Sequence, residues 1–281
     1  MTAIARSTSS FTVIPLTPTI GAEIGGIDLR QPLNSAAINE GRTMLAKHKV
    51  IFFRDQDITR EQHLAFAKCF GELETFRGNP MCVPGYDEVL HIYDSETSTE
   101  KDTNQWHSDF AGIELPTFSV VLRAVNVPEI GGDTLFADMG AAYQGLPETI
   151  KQRIEGLVAL NDERLFATKG YDAKTRNEIA DNQYPPHEHP VVRVIPETGE
   201  KILYVNEAQT VYIKGLDLEE GKELLSTLVR QACKPEYQVR FRWKNNSIAF
   251  WDNRSTQHYA RGDYWGHVRS LERISLVGHK P

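Results

Sequence analysis

The chain has 281 residues, 40% hydrophobic and 25% charged, with a net charge of −7. This is enough apolar material for a sizeable core without disulfides or a structural metal, and the acidic balance argues against a nucleic-acid partner, which calls for a basic face. Cys69, Cys82 and Cys233 are scattered and form no C-x-x-C, the start MTAIARSTSSF lacks the apolar stretch of a signal peptide, and no run approaches the ~18 apolar residues of a membrane span, so a cytoplasmic protein with no membrane partner is expected.

Residues 1–10 are polar and expected to be loose, with one domain over 11–281. FTVIPL (11–16) and AEIGGIDL (22–29) read as strands. Residues 35–48 read as a helix with Ser35 as candidate N-cap, and 49–55 as a buried strand. The stretch 59–71 is a strong helix: Thr59 and Gln62 form a capping box and Gly71 ends it. Strands follow at 88–94 and 117–128, then a helix from about Pro147 to Leu160. The polar, aperiodic stretch at about 161–188 reads as a lid insertion, with His187 and His189 in a solvated loop. VVRVIP, KILYVN, a helix at 218–233, and strands at YQVRFRW, SIAFWDN and VRSLERISLVG complete the chain. Regular β-α alternation and a Gly-rich first turn are missing, so the pattern predicts α+β: a double-stranded β-helix (jelly-roll) core with flanking helices.

Four motifs carry chemistry. In Trp106-His107-Ser108-Asp109, an extended backbone points His107 and Asp109 the same way. An imidazole and a carboxylate so placed can share one ion, but the pair alone is weak evidence. In WDNRSTQHYARGDY (251–264), His258 lies near a strand end and can supply a distant third ligand. Two His and one carboxylate leave open positions suited to Fe(II) oxygenases, while three ligands plus water also describe a hydrolytic zinc site. Arg269 and Arg273 share a strand face and can each clamp a carboxylate by paired hydrogen bonds. Gly131-Gly132-Asp133-Thr134 permits a tight turn and a hydroxyl contact to an anion. Asp252 could support a metal ligand, though WDN more simply turns the chain. Trp106 and Trp251 read as core first and pocket second.

The order His-x-Asp, GGDT, WDNR-x-x-x-H and Arg-x-x-x-Arg resembles the taurine and phenoxyacetate dioxygenases of the TauD/TfdA family, from about Val13 to Gly278. The resemblance implies iron(II), 2-oxoglutarate and O2 as cofactor and cosubstrates. It implies His107, Asp109 and His258 as catalytic iron ligands, Arg269 with Thr134 for the 2-oxoglutarate carboxylate, and Arg273 for an anionic organic substrate. Succinate and CO2 would leave as an aliphatic carbon is hydroxylated, with C–O or C–S cleavage where that carbon bears a heteroatom. Taurine-specific members carry a His and an Asn where this chain has Phe76 and Thr103, which argues against taurine and for a more apolar acid. Relatives are commonly oligomeric, so a homodimer or homotetramer is expected. Two readings stand beside this one: a zinc hydrolase, for which no general base is assignable, and a non-catalytic organic-acid-binding protein, in which the triad would be superfluous.

Overall fold

The computed structural model describes residues 11–98, 104–167 and 184–281. Its largest sheet has eight strands, in the order β1 (Thr12–Pro15), β2 (Ala22–Gly25), β3 (Val50–Phe53), β14 (Ile248–Asp252), β6 (Ser119–Asn126), β16 (Arg269–Leu276), β5 (Tyr86–Asp94) and β4 (Cys82–Val83). All neighbours are antiparallel except β2 and β3. Smaller sheets are β13 (Gln238–Phe241), β7 (Thr134–Asp138) and β15 (Thr256–Ala260); β12 (Thr210–Ile213), β8 (Val158–Asn161) and β9 (His187–Pro190); and the pair β10 (Val192–Val194) and β11 (Lys201–Leu203). The helices are α1 (Ser35–His48), α2 (Arg60–Lys68), α3 (Met139–Gln144), α4 (Glu148–Ile154), α5 (Arg164–Ala167) and α6 (Leu218–Val229).

Strand alternation sorts the side chains into layers. Phe52 on β3, Leu122 on β6, Trp251 on β14 and Leu271 on β16 face inward against Phe136 of β7 and Phe241 of β13. Their neighbours Phe53, Val121, Phe250 and Ile274 point outward and are covered by Met44 and Leu45 of α1 and Leu64 and Phe66 of α2. Strands buried on both faces explain why VIFF reads as an unbroken apolar run. A third cluster joins α3, α4 and α6 to the smaller sheets. These facing sheets with helices outside are the jelly roll expected from the strand pattern.

Several local expectations shift. Asn34, not Ser35, caps α1, its side chain accepting from the Ala37 N–H at 2.9 Å. The Thr59/Gln62 capping box is formed, but α2 ends at Lys68 with Cys69 as its cap, before Gly71. The second strand stops at Gly25 because Gly26 adopts a φ of 79°. The helix expected over 147–160 is only α4; Gly156, at φ 72°, breaks it, and Val158–Asn161 joins β9 as a strand instead. His187 and His189 therefore lie in β9 rather than in a solvated loop, and buried His189 bonds the Ile113 carbonyl through Nε2 at 2.8 Å. Of the lid expected at about 161–188, residues 168–183 lie outside the described part. No helix among the described residues is long and apolar enough to cross a membrane, and the three cysteines are free.

Candidate metal centre and cosubstrate pocket

His258 sits mid-strand in β15, opposite Phe136 on β7. On the other edge of β15 the chain comes back at His107, joined by a single antiparallel bridge: His107 N–H to His258 O at 3.1 Å and His258 N–H to His107 O at 2.8 Å. This bridge sets the two imidazoles 4.1 Å apart, centroid to centroid. The extended strand expected through Asp109 does not form. The chain turns at Phe110, with φ 50°, and the Asp109 N–H is taken by the Asn253 side chain rather than by a sheet neighbour. The convergence of His107 and Asp109 survives by this other route. One ligand atom from each of His107, Asp109 and His258 lies within 4.8 Å of the others, all three residues buried.

The donor set suits a divalent ion. His107 Nδ1 faces the Gln105 carbonyl at 2.8 Å, which fixes the ring with Nε2 directed to Asp109, 3.9 Å away. His258 Nε2 is likewise 3.9 Å from Asp109 Oδ2, an oxygen with no hydrogen-bond partner among the described residues. Burial pushes the His258 pKa down to about 3, leaving a neutral imidazole with a lone pair to give. Burial opposes charge on Asp109, but Arg273 and the two imidazoles outweigh it and hold the carboxyl below its usual range. A carboxylate at Asp109 and a neutral imidazole at His258 are protonation states that ligation requires.

Asn253 holds the Asp109 peptide from both sides. Its Oδ1 accepts from Asp109 N–H at 2.9 Å, and its Nδ2 donates to the carbonyls of Asp109 at 2.8 Å and Thr117 at 3.0 Å. Asp252, the residue singled out beside it, instead pairs with buried Arg254 at 2.7 Å. Ser108 points away and donates to the Thr256 carbonyl at 2.7 Å, while Gln209 Nε2 bonds the Ser108 carbonyl at 3.0 Å. Behind this turn, Glu163 accepts from Gly112 N–H at 3.1 Å, and burial lifts its pKa to about 8. Asn253 sat in a motif already noticed; Glu163 and Gln209 lie in stretches expected to shape the pocket, 161–188 and 206–213, but no motif singled out either residue.

Arg269 is 4% exposed, makes no ion pair among the described residues, and keeps a buried Nε without a partner. Its guanidinium lies 5.4 Å from the centroid of the Tyr264 ring, whose hydroxyl bonds Asp94. A buried cation without a carboxylate is costly unless an anionic guest completes it. Gly132 adopts a φ of 69°, and a Cβ there would stand 3.1 Å from Tyr264 and 3.2 Å from Arg269 Nε; only glycine leaves that guanidinium its place. Thr134 opens β7, and its hydroxyl accepts from Trp243 Nε1 at 2.9 Å.

Arg273 lies between Asp109 and two rings that line an adjoining cavity. It donates to Asp109 Oδ1 at 3.1 Å and is braced by the Ser275 hydroxyl at 3.0 and 3.1 Å. Its guanidinium lies 5.1 Å from the Phe110 ring and 6.0 Å from that of Phe76. Those two rings stack at 5.8 Å, Phe110 and Tyr184 stack at 6.0 Å, and all three line a cavity of about 430 Å³ together with Glu74, Ile113 and Leu115. Burial raises the Glu74 pKa to about 7. Trp251 is core, at 1% exposure. Thr103 lies outside the described residues.

A His-Asp-His cluster inside a jelly roll, beside a buried arginine with no ion pair among the described residues, fits the class of metal- and oxoacid-dependent oxygenases. Comparison with known proteins agrees. The model of the taurine catabolism dioxygenase TauD, TfdA family matches residues 12–275. The chain is 34% identical to the alpha-ketoglutarate-dependent sulfate ester dioxygenase of Pseudomonas putida, over 96% of this chain and 90% of that protein. It is 31% identical to the alpha-ketoglutarate-dependent 2,4-dichlorophenoxyacetate dioxygenase of Cupriavidus pinatubonensis, over 94% and 96% respectively. A solved taurine dioxygenase from Burkholderia xenovorans superposes with a TM-score of 0.83 at 34% identity, covering 96% of this chain and 90% of that one. The chain belongs to the TauD/TfdA family. It is an oxidoreductase that uses iron(II), 2-oxoglutarate and O2.

Proposed function

We propose that His107, Asp109 and His258 hold the iron, that Arg269 and Thr134 seat the distal carboxylate of 2-oxoglutarate, and that Arg273 receives the anionic group of the primary substrate. The observation that carries this reading is the three-residue cluster within 4.8 Å beside a buried arginine that has no ion pair among the described residues. When bound, iron(II) and 2-oxoglutarate together supply O2 activation, releasing succinate and CO2 and hydroxylating the substrate carbon. The protein's own part is position and dryness. Arg273 touches the Asp109 carboxylate on one side and lies against the rings of Phe110 and Phe76, which line the aromatic cavity, on the other, so an anion docked there would present its neighbouring carbon to the metal. Phe76, Phe110 and Tyr184 give that cavity an apolar wall and exclude water.

The substrate we infer is a small organic acid with an apolar body: a sulfate ester, a sulfonate, a carboxylate or an aryloxyalkanoate. Phe76 supports this by replacing a polar contact with a ring that stacks on Phe110. Cleavage of C–O or C–S follows where the hydroxylated carbon bears oxygen or sulfur. Residues 11–281 act as one catalytic domain. The free cysteines support a cytoplasmic setting, and exposed Ile130, Leu218 and Trp265 supply apolar surface for a homodimer or homotetramer, which light scattering would reveal.

The deciding experiment supplies Fe(II), ascorbate and 2-oxoglutarate in air and follows succinate across a panel of such acids. Substrate-dependent succinate is expected. His107→Ala should abolish it, and Arg269→Ala should raise the 2-oxoglutarate requirement by roughly 10- to 100-fold, from the loss of a charge-assisted pair. An unchanged requirement in the second variant removes the anchor assignment. Hydrolysis with Zn(II) and no oxygen would replace the whole reading.

A further inference from the structure

Thr134 lies opposite Phe241 in the β7–β13 ladder. Two residues past Phe241, the chain turns Trp243 inward beneath it. The indole N–H of Trp243 donates to Thr134 Oγ1 at 2.9 Å, with Trp243 3% and Thr134 2% exposed. Trp243 cannot swing away easily. Its ring meets Phe241 edge-on at 4.8 Å, and Phe241 stacks on Phe52 at 4.0 Å.

A threonine hydroxyl has one proton and two lone pairs, whereas an indole N–H only donates. Trp243 therefore occupies the oxygen as an acceptor and leaves the hydroxyl proton to be given elsewhere. No acceptor for that proton occurs among the described residues. We propose that Trp243 is a positioning residue for the cosubstrate: its N–H fixes the Thr134 rotor so that the hydroxyl proton is presented to the carboxylate seated by Arg269. This rests on the reading that Thr134 and Arg269 form that seat. A hydroxyl polarised by a donor behind it is a stronger donor in front, and one already oriented loses less entropy when the anion arrives.

A purely structural Trp243, which needs Thr134 only to satisfy a buried indole, would treat all keto acids alike. The test therefore titrates the Mn(II)-loaded protein calorimetrically with 2-oxoglutarate and with pyruvate, which has the same keto-acid head and no distal carboxylate. Trp243→Phe should weaken 2-oxoglutarate about fivefold, the size of one modest hydrogen bond, and leave pyruvate unchanged within about twofold. In a Thr134→Val background, Trp243→Phe should have no further effect, since the two act as one unit. Equal weakening of both keto acids, no weakening, or additive effects in the double variant would each overturn the proposal. If Thr134→Val alone leaves 2-oxoglutarate binding intact, the seat itself is wrong and the proposal falls with it. If Thr134→Val weakens binding and Trp243→Phe does not, only the role of Trp243 is lost.

Should Trp243→Phe fail to fold, the Zn(II)-loaded wild type answers the question by indole ¹⁵N–¹H spectroscopy. The chain has four tryptophans, and the signal displaced by Thr134→Val marks Trp243. That signal should move on adding 2-oxoglutarate and not on adding pyruvate. A signal that ignores both, or responds equally to both, overturns the proposal.

Discussion

Asn253 offers a direct way to ask whether the metal centre depends on groups that never touch the metal. Asn253→Ala removes four buried hydrogen bonds, one of them a long 3.4 Å bond from the Trp251 indole N–H, and leaves the Asp109 N–H, the Asp109 carbonyl and the Thr117 carbonyl without their partner. At about 1–1.5 kcal/mol net for each of the three shorter bonds, the loss is roughly 3–5 kcal/mol. For a chain of this size that lowers the melting temperature by roughly 10 °C. The Asp109 peptide then depends on its neighbours alone, and the carboxylate loses its set orientation to His107 and His258. Supports of this kind are typically worth about 10- to 100-fold in metal affinity. Urea unfolding of the apo protein measures the first effect, and competitive Mn(II) titration at a temperature where the variant is folded measures the second. Asn253→Asp is a sharper companion, because it keeps the acceptor for the Asp109 N–H, gives up both donors and adds a buried charge. A stability loss with metal affinity unchanged within about twofold would refute the orienting role and leave Asn253 a structural clamp only.

Two further outcomes follow from the geometry. Gly132→Ala places a methyl against Tyr264 and Arg269 at a φ of 69°, so 2-oxoglutarate binding should weaken by about tenfold or more while binding of the primary substrate to Arg273 changes little; equal loss at both sites would show general misfolding. Glu163 has its folded pKa raised by burial to about 8 from 4.5, so the folded state holds the proton more tightly. The stability this contributes is complete below about pH 4.5 and is lost as pH rises to about 8, on the order of 5 kcal/mol in all. Glu163→Gln should flatten that slope because it removes the titrating carboxyl, and Gln209 Oε1, which has no partner among the described residues, can accept from the new amide. Urea midpoints at pH 5, 7 and 9 that fall equally in both proteins would refute the assignment.

What the sequence carried by itself was local or ordered along the chain. The Thr59/Gln62 capping box is made by residues three apart and formed as read. The apolar face of α2 follows from its 3.6-residue periodicity, and the two-sided burial of VIFF from its unbroken apolar run. The candidate ligands His107, Asp109 and His258, and the pair Arg269 and Arg273, were legible because residue types with few structural reasons to recur stand in a recognisable order. Less local features were decided elsewhere. Whether Val158–Asn161 continued a helix or paired with a strand depended on Gly156 and on β9, some 30 residues away. The turn at Phe110 replaced an expected strand because the Asn253 amide competes for the Asp109 backbone. The His107–His258 bridge, the Asn253 clamp and the Trp243–Thr134 bond each join segments more than 100 residues apart. Such partners are chosen by sheet register and by the need of buried polar groups for a mate, and neither is written in the composition of either segment.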